Sequence, residues 1–372
     1  MRTPIAWRNL THRKVRALVA LAGVCSSVLL VFMQIGFYSA VITSATAIYR
    51  RMDADVFLTS PLYVYLSRTG TIPRARLFQA RGVEGVRGSA PFYVDTQMWR
   101  NPETRLRHPI LVMGFEPSTD LLKLAGNYQS RLENGRVLID FLSHPHFGSQ
   151  ETGTVAELGT QRVEIVGQYR LGSGFAADGA VVMDDDTFIR VMDGTVERPS
   201  LGVVRIAPGA RVVEVAAALR RAFPADTQVF TRDEMIQREE DYWASQTSIG
   251  PVFAAGAALG LVIGVVILYQ VMSTDIANHI REYATLKALG YTDRQLQWIV
   301  LQEVSAFSIV GSLAGWLMSA ALYNVVRDAT GLPMAMAPGR TVAIFLLTLF
   351  MCWIAGLLST RKLQRANPAE LF

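Results

Sequence analysis

Three short segments of this sequence carry side chains that often perform chemistry. Segment 144–146 (His-Pro-His) presents two imidazoles that a metal ion could bind, and segment 184–186 presents three aspartates that could hold a cation. Segment 172–177 (GSGFAA) matches the glycine spacing of a dinucleotide-binding turn. Each chemistry needs a particular structural setting, so the surrounding elements decide between the interpretations.

None of the three segments lies in the setting that its chemistry requires. A lone pair of histidines in a loop is usually solvated, and Asp186 ahead of a Thr-Phe-Ile run is well placed to cap a helix. A dinucleotide turn must lead directly into a helix, whereas Asp178-Gly179 signals a turn into another strand. The sequence also lacks a G-x-x-x-x-G-K-[ST] phosphate loop. We therefore expect no catalytic residue, no metal site, no cofactor bound by this chain and no enzymatic activity.

The sequence contains four long apolar runs without charged residues. It is 51% hydrophobic and 18% charged, which makes it more apolar than an average soluble protein. Asp, Glu, Lys and Arg are missing from residues 17–49, 242–274, 304–326 and 341–360. Because a membrane-spanning helix needs about 20 mostly apolar residues, these runs predict four transmembrane helices, at 17–42, 251–272, 304–326 and 341–360.

The basic residues predict how these helices are oriented. Lys and Arg are concentrated in segment 1–16, in the loop 273–303 and in the tail 361–372, while the loop 327–340 holds only two. The positive-inside rule then puts both termini and the loop 273–303 in the cytoplasm, and the short loop 327–340 outside. We expect a multi-pass protein of the cell inner membrane, whose basic flanks meet the anionic lipid bilayer and bind no nucleic acid.

The long segment 43–246, between the first two helices, has the composition of a folded domain. Short β-rich runs alternate with turn residues and brief helical patterns, which predicts an extracytoplasmic (periplasmic) mixed α/β domain. Strands are predicted at 56–59, 92–99, 110–115, 163–169, 180–183, 201–206 and 228–231. Helices are predicted to begin near Pro73, Thr119, Asp186 and Arg211. The two cysteines, Cys25 and Cys352, both fall in membrane segments, so no disulfide framework is expected in this domain.

A helix with a strong start signal links this domain to the second membrane helix. Thr231 and Glu234 have the spacing of a capping box, in which each side chain accepts a hydrogen bond from the backbone N–H of the other residue. The helical pattern continues through Trp243, and Gly250-Pro251 is expected to kink or interrupt it. Such a helix could transmit motion between the membrane and the domain, or it could serve as a passive stalk.

The loop 273–303 contains a compact helix–glycine–helix pattern. The first helix carries apolar residues at helical spacing, and Gly290 stands where a helix C′ residue with a left-handed φ belongs. Thr292 and Gln295 then form the capping box of a second helix. Local chemistry fits two interpretations equally well: a knob on which a partner protein docks, and an ordinary tight turn.

Small residues recur at every fourth position in the second and third membrane helices. Such spacing lets two helix backbones approach closely. It does not distinguish packing within one chain from packing between the two chains of a homodimer. The glycines concerned are Gly256, Gly260, Gly264, Gly311 and Gly315.

The order of these elements, together with segment 281–296 (REYATLKALGYTDRQL), resembles the permease subunits of the MacB/FtsX family of ABC transporters. The opening AWRNLTHRKVRALVAL and the closing RANPAEL are similar to the ends of that family, so the resemblance spans the whole chain. Segments 163–183 (VEIVGQYRLGSGFAADGAVVM) and 241–253 (DYWASQTSIGPVF) resemble the DevC group within the family. Unlike full-length MacB, the sequence has no fused ATPase domain.

The resemblance implies a homodimer bound to two copies of a separate ABC ATP-binding subunit, which would hold ATP and magnesium. It implies that this subunit docks on the loop residues Glu282, Leu286, Lys287, Ala288, Leu289, Gly290 and Tyr291. It also implies that ATP-driven motion reaches the outer domain, whereas cargo does not pass through a membrane channel. The residues expected to carry that motion are Thr231, Glu234, Trp243, Gly250 and Pro251.

The DevC-like features imply a tripartite export complex. Its other members would be a HlyD-like periplasmic membrane fusion protein and a TolC-like outer-membrane channel, with glycolipid or lipid-like cargo. Two other roles fit the same family: a signalling permease that acts on a cell-wall hydrolase or sensor, and a lipoprotein-releasing permease. A neighbouring gene for a fusion protein would favour export, and one for a hydrolase would favour signalling.

Overall fold

The computed structural model describes residues 14–119, 121–122, 132–171, 177–194 and 198–364. This described chain divides into two compact units. The helical unit lies within Met1–Ser39, Ile249–Ala329 and Met334–Phe372, and the sheet unit lies within Ala40–Ser248 and Thr330–Pro333.

The elements of both units follow one another along the chain as four long helices and a sheet-bearing segment. In chain order they are α1 (Lys14–Arg51), β1 (Val56–Thr59), α2 (Ala75–Arg81), β2 (Val86–Arg100), β3 (Arg107–Phe115), β4 (Arg136–Asp140), β5 (Val155–Leu158), β6 (Gln161–Tyr169), β7 (Ala180–Asp184), α3 (Asp185–Met192), β8 (Leu201–Ile206), α4 (Val212–Ala222), β9 (Gln228–Thr231), α5 (Arg232–Asp241), α6 (Ile249–Asn278), α7 (Ile280–Ala288), α8 (Asp293–Thr330) and α9 (Pro338–Gln364).

Among the described residues, four helices are long and apolar enough to cross a membrane. These candidate spans are Ala17–Arg51, Ile249–Asn278, Asp293–Thr330 and Pro338–Arg361. All four extend beyond the expected segments, because apolar runs mark the thickness of the bilayer while helical hydrogen bonding continues past its surface. Helix α1 has 38 residues, a length of about 57 Å at 1.5 Å per residue.

The described part of the sheet unit contains nine strands in the order β3-β7-β4-β6-β5-β2-β8-β1-β9. Because β2 also pairs with β3, the strands β2, β3, β7, β4, β6 and β5 close into a ring. The first half of β2 pairs instead with β8, from which β1 and β9 extend. The pairs β3–β7 and β4–β6 are parallel and the others are antiparallel. The sheet is therefore mixed, as expected.

Alternate residues of the ring strands face two different cores. On β3, Leu111 joins the core that contains Tyr63, whereas Ile110 and Val112 join the core that contains Trp99. Strands that are buried on both faces have nearly continuous apolar runs. This burial explains why the apolar segments of β2, β3 and β7 stand out in the sequence.

The sequence patterns find seven of the strands and miss β4 and β5. These two strands have five and four residues, too short for an alternating period to be distinguished. The helix expected near Thr119 is a single 3-10 turn, Pro117–Thr119, and residues 120 and 123–131 lie outside the described residues. So do most of the glycine-rich segment 172–177, nearly all of segment 1–16 and most of the tail 361–372.

The cap of α3 differs from the one expected. The N–H of Thr187 donates a hydrogen bond to Oδ2 of Asp184, at 3.2 Å, so Asp184 is the N-cap and Asp186 is not. An N-cap side chain bonds the N2 or N3 backbone N–H, which fixes its distance from the helix start. Asp185 and Asp186 occupy the first turn, where carboxylates interact favourably with the helix dipole.

Candidate functional site

The turn between α7 and α8 satisfies its terminal backbone groups by itself. Gly290 has φ +94°, and its N–H donates to the carbonyl of Lys287 at 2.9 Å. The N–H of Tyr291 donates to the carbonyl of Leu286 at 3.1 Å. These two bonds form a Schellman motif with Gly290 at C′, which agrees with the expectation from the sequence.

The next helix begins with a reciprocal cap. The N–H of Thr292 donates to Oε1 of Gln295 at 2.9 Å, and the N–H of Gln295 donates to Oγ1 of Thr292 at 3.4 Å, as a capping box requires. An ion pair of 2.8 Å between Lys287 Nζ and Asp293 Oδ1 closes the turn from the other side. Helix α8 then continues without a break through the third predicted membrane helix.

The side chains around this turn divide into an exposed set and a half-buried set. Leu289 is 72% exposed and Tyr291 is 44% exposed, whereas Leu286 packs against the core of the helical unit. The exposed members of the predicted docking set are Glu282, Ala288, Leu289, Gly290 and Tyr291. Leu286 and Lys287 are half-buried, so they hold the turn in place from inside.

Two features near the turn escape the sequence analysis. Trp298 in α8 is 61% exposed, and the signal that could have shown it is a large aromatic residue between polar neighbours. Asp275 and Glu303 are buried in the helical unit, and Asp275 Oδ1 lies 3.0 Å from Nδ1 of His279. The sequence analysis used the two acidic residues only as the ends of charge-free runs.

The small residues of α6 and α8 lie against α1 of the same chain. A Cβ atom at Gly315 would come within 2.8 Å of Val28 and 2.9 Å of the carbonyl oxygen of Cys25. The hydroxyl of Ser27 donates to the carbonyl of Gly260 at 2.7 Å. Gly256 faces Gln34, Gly264 faces Ser27 and Met351, and Gly311 faces Val24. Of the two open interpretations of this spacing, these contacts correspond to packing within the chain.

The stalk begins as expected and is interrupted at a different place. The N–H of Thr231 donates to Oε2 of Glu234 at 2.7 Å and the N–H of Glu234 donates to Oγ1 of Thr231 at 3.3 Å, so the capping box is present. Helix α5 passes into a π-helical turn, Tyr242–Gln246, and the chain becomes extended at Thr247. Gly250 and Pro251 lie in the first turn of α6 instead of at the break, because a proline there removes no helical hydrogen bond.

A buried carboxylate organises the lower part of the sheet unit. Glu239 in α5 is 1% exposed. Its oxygens accept hydrogen bonds from the hydroxyl of Tyr63 at 2.6 Å, the N–H of Leu66 at 3.3 Å and Nε1 of Trp243 at 3.2 Å. The hydroxyls of Tyr49 and Tyr63 are 2.6 Å apart. The network joins the end of α1, the loop after β1 and the stalk.

Burial raises the pKa of Glu239, and the hydrogen bonds from Tyr63, Leu66 and Trp243 act in the opposite direction. The sequence analysis missed this residue because it is one of several acidic residues in a polar helix. Only the fold brings the loop and the end of α1 to it.

The described histidines come close together without forming a metal site. The rings of His108 and His146 are 4.4 Å apart, and those of His144 and His146 are 5.6 Å apart, between centroids. Burial and the neighbouring His108 lower the pKa of His146. Among the residues that the structure describes, no group of three or more His, Cys, Asp or Glu side chains is arranged to hold a metal ion.

Four candidate membrane-spanning helices and a mixed sheet unit define a multi-pass membrane protein with a large second folded unit. Residues 254–368, which include the α7–α8 turn, belong to the FtsX-like permease C-terminal family. This match confirms the predicted resemblance to MacB/FtsX-family permeases over that part of the chain, and the DevC grouping stays a prediction. No curated protein matches the sequence.

Three solved structures are similar to part of the chain. The extracellular domain of the noncanonic ABC-type transporter YknZ from Gram-positive bacteria has 13% identity and a TM-score of 0.35, covering 48% of this chain and 98% of that one. The periplasmic region of MacB from Actinobacillus actinomycetemcomitans has 13% identity and a TM-score of 0.38, covering 52% and 95%. A domain of a putative permease protein from Porphyromonas gingivalis has 13% identity and a TM-score of 0.33, covering 50% and 90%.

Proposed function

We propose that this chain is the permease subunit of an ABC-type exporter, which couples ATP hydrolysis by a separate subunit to motion of a periplasmic domain. The observation that carries the proposal is the FtsX-like match of residues 254–368, which encloses a turn with a self-satisfied backbone and exposed apolar side chains. In the proposed topology both termini and the turn are cytoplasmic and residues 43–246 are periplasmic. The concentration of Lys and Arg in the proposed cytoplasmic segments supports this orientation.

The turn has the properties of a docking element. Burying an exposed leucine such as Leu289 contributes about 1.5–3 kcal/mol. Because the Schellman motif and the capping box already fix the backbone, binding would cost little additional ordering. Glu282, Leu289 and Tyr291 would contact the ATP-binding subunit, and Leu286 and Lys287 would support the turn from inside.

Motion would travel outward along continuous elements. Helix α8 runs from the turn for 38 residues, and α6 leads back along the chain to the π-helical turn and the stalk. The Glu239 network then joins the stalk to the end of α1. A homodimer, a periplasmic fusion protein, a TolC-like channel and a glycolipid or lipid-like cargo complete the proposal.

The test is a gentle purification of the tagged full chain from native membranes, assayed for vanadate-sensitive ATP hydrolysis and for copurifying proteins. Leu289→Asp should reduce the retained ATPase activity by about tenfold or more, because it replaces a buried apolar contact with a charge. The control is Leu106→Asp, which changes a leucine that is 60% exposed in the sheet unit and should retain the ATPase.

Each outcome of that purification bears on the proposal. An ATPase together with a fusion protein supports an exporter. An ATPase with a cell-wall hydrolase would replace export by signalling, and absence of any ATPase would overturn the proposal. Equal retention by Leu289→Asp and the unchanged chain would remove the turn as the docking element.

A further inference from the structure

An open cavity of about 580 Å³ lies in the sheet unit, between α5, β9 and the loop after β1. Its volume is within the range of small-ligand sites, about 300–1,000 Å³. Aromatic and charged side chains share the wall: Tyr63, Phe230, Tyr242, Arg238 and Asp241. Arg220 and Glu234 also line it, but they form an ion pair with each other, so they leave little net charge.

Arg238 is a cation without a carboxylate partner in this cavity. Its guanidinium lies 5.6 Å from the ring centre of Tyr63 and 5.0 Å from that of Phe230, contacts that fix its orientation. One Nη donates to the carbonyl of Tyr63 at 2.8 Å, and Nε is buried without a hydrogen-bond partner. Among the described residues no Asp or Glu oxygen lies within 4.0 Å of it. Such a guanidinium is suited to bind a phosphate group.

Asp241 supplies the opposite charge one helical turn away. It lines the same cavity, and no Lys or Arg nitrogen of the described chain lies within 4.0 Å of its carboxylate. Side chains at i and i+3 stand about 5–6 Å apart at Cβ, yet Arg238 and Asp241 do not pair. The cavity therefore presents a separated positive and negative charge beside aromatic rings.

The cavity also lies close, along the chain, to a candidate membrane span. Gln246 lines it, and only residues 247 and 248 separate Gln246 from Ile249, where α6 begins. Three residue steps cover at most about 11 Å. If α6 enters the outer leaflet there, as the proposed topology requires, lipid headgroups are within reach of the cavity.

We propose that this cavity binds the zwitterionic headgroup of a phosphatidylethanolamine-type lipid, with the phosphate on Arg238 and the ammonium group on Asp241. Two carbons join phosphate and ammonium in this headgroup, which suits charges held one helical turn apart. The aromatic rings contact the glycerol and the first methylene groups. The inference rests on the topology of the proposed function and is independent of the ATPase contact.

The test measures lipid adducts on the full chain by native mass spectrometry in maltoside micelles, which contain neither phosphate nor charge. The probes are phosphatidylethanolamine, phosphatidic acid with the same acyl chains, and free phosphoethanolamine. Arg238→Gln should weaken binding of both lipids by about tenfold or more, because charged hydrogen bonds are lost. Asp241→Asn should weaken binding of phosphatidylethanolamine and leave phosphatidic acid unchanged.

The matched controls are Arg211→Gln and Asp233→Asn, two exposed charges outside the cavity, and both should bind as the unchanged chain does. A full effect of Arg211→Gln would show non-specific attraction and overturn the site. Unchanged binding in Asp241→Asn would overturn the zwitterion, even if Arg238→Gln failed to fold. Free phosphoethanolamine binding as tightly as the lipid would overturn the lipid assignment. Retention of the ATPase is measured separately, so a failure here is distinguishable from a failure of the proposed function.

Discussion

The α7–α8 turn and the base of the sheet unit use similar parts for opposite purposes. Both contain a helix that starts with a threonine capping box. The turn satisfies its backbone locally and leaves Leu289 exposed, whereas the base buries Glu239 among partners that are far apart in sequence. A locally closed turn with exposed apolar atoms suits reversible docking, while a satisfied buried polar network holds one geometry. The comparison predicts that substitutions at the base affect stability and those at the turn affect binding.

The largest effect is expected from Glu239→Ala. The hydroxyl of Tyr63, the N–H of Leu66 and Nε1 of Trp243 would lose their acceptor. Each buried donor without a partner costs about 1–3 kcal/mol, so we expect a loss of about 3 kcal/mol or more in the free energy of unfolding. Thermal unfolding of the full chain in detergent, followed by near-UV circular dichroism, measures it.

Glu240→Ala is the matched control for this substitution. Glu240 is the next residue, and its ion pair with Arg50 has side chains that are 38% and 55% exposed. Such pairs contribute about 0–1 kcal/mol. Equal shifts in the melting temperature for the two variants would contradict the role given to the buried network.

The second prediction separates strain from docking at Gly290. The residue has φ +94° and open space around a Cβ position, so Gly290→Val introduces backbone strain of about 1–3 kcal/mol and no clash. Gly209 has φ +87° and the same open space in the sheet unit. Gly209→Val should therefore lose similar stability, and only Gly290→Val should lose the ATPase in the purification assay. Loss of the ATPase in both variants would mean that general destabilisation, and not the turn, is responsible.

The two regions also differ in how far the sequence predicts them. Gly290 and both capping boxes follow from residues within five positions of each other, and the structure has them as expected. The Glu239 network needs Tyr49 and Tyr63, which lie more than 170 positions away, and no local pattern indicates that they meet. The kink expected at Gly250-Pro251 is wrong for a related reason: proline is tolerated in a first helical turn, and the break lies where the chain leaves the π-helical turn.

The third prediction concerns the pH dependence of the base. Burial raises the pKa of Glu239, so the folded state holds this proton more tightly than the unfolded state. The resulting stabilisation is fully present below the ordinary pKa of a glutamate and is lost as the pH rises through the folded value, with a slope of at most about 1.4 kcal/mol per pH unit. Glu239→Gln cannot ionise, so the difference in unfolding free energy between it and the unchanged chain should vary with pH in that direction. A difference that is constant from about pH 4 to about pH 8 would contradict a raised pKa.

The smallest effects are expected from the two capping boxes, which make the comparison on matched chemistry. Thr231→Ala and Thr292→Ala each remove one side-chain cap, a loss of about 1 kcal/mol of helix stability. At Thr231 the cap supports α5 and its buried Glu239, so the loss should appear as a lower melting temperature. At Thr292 the cap supports an exposed turn that can open locally, because α8 remains packed through Leu296 and Val300. Hydrogen exchange should therefore quicken at residues 290–295 in Thr292→Ala while the melting temperature stays nearly unchanged, and the reverse pattern would mean that the turn is the more rigid of the two regions.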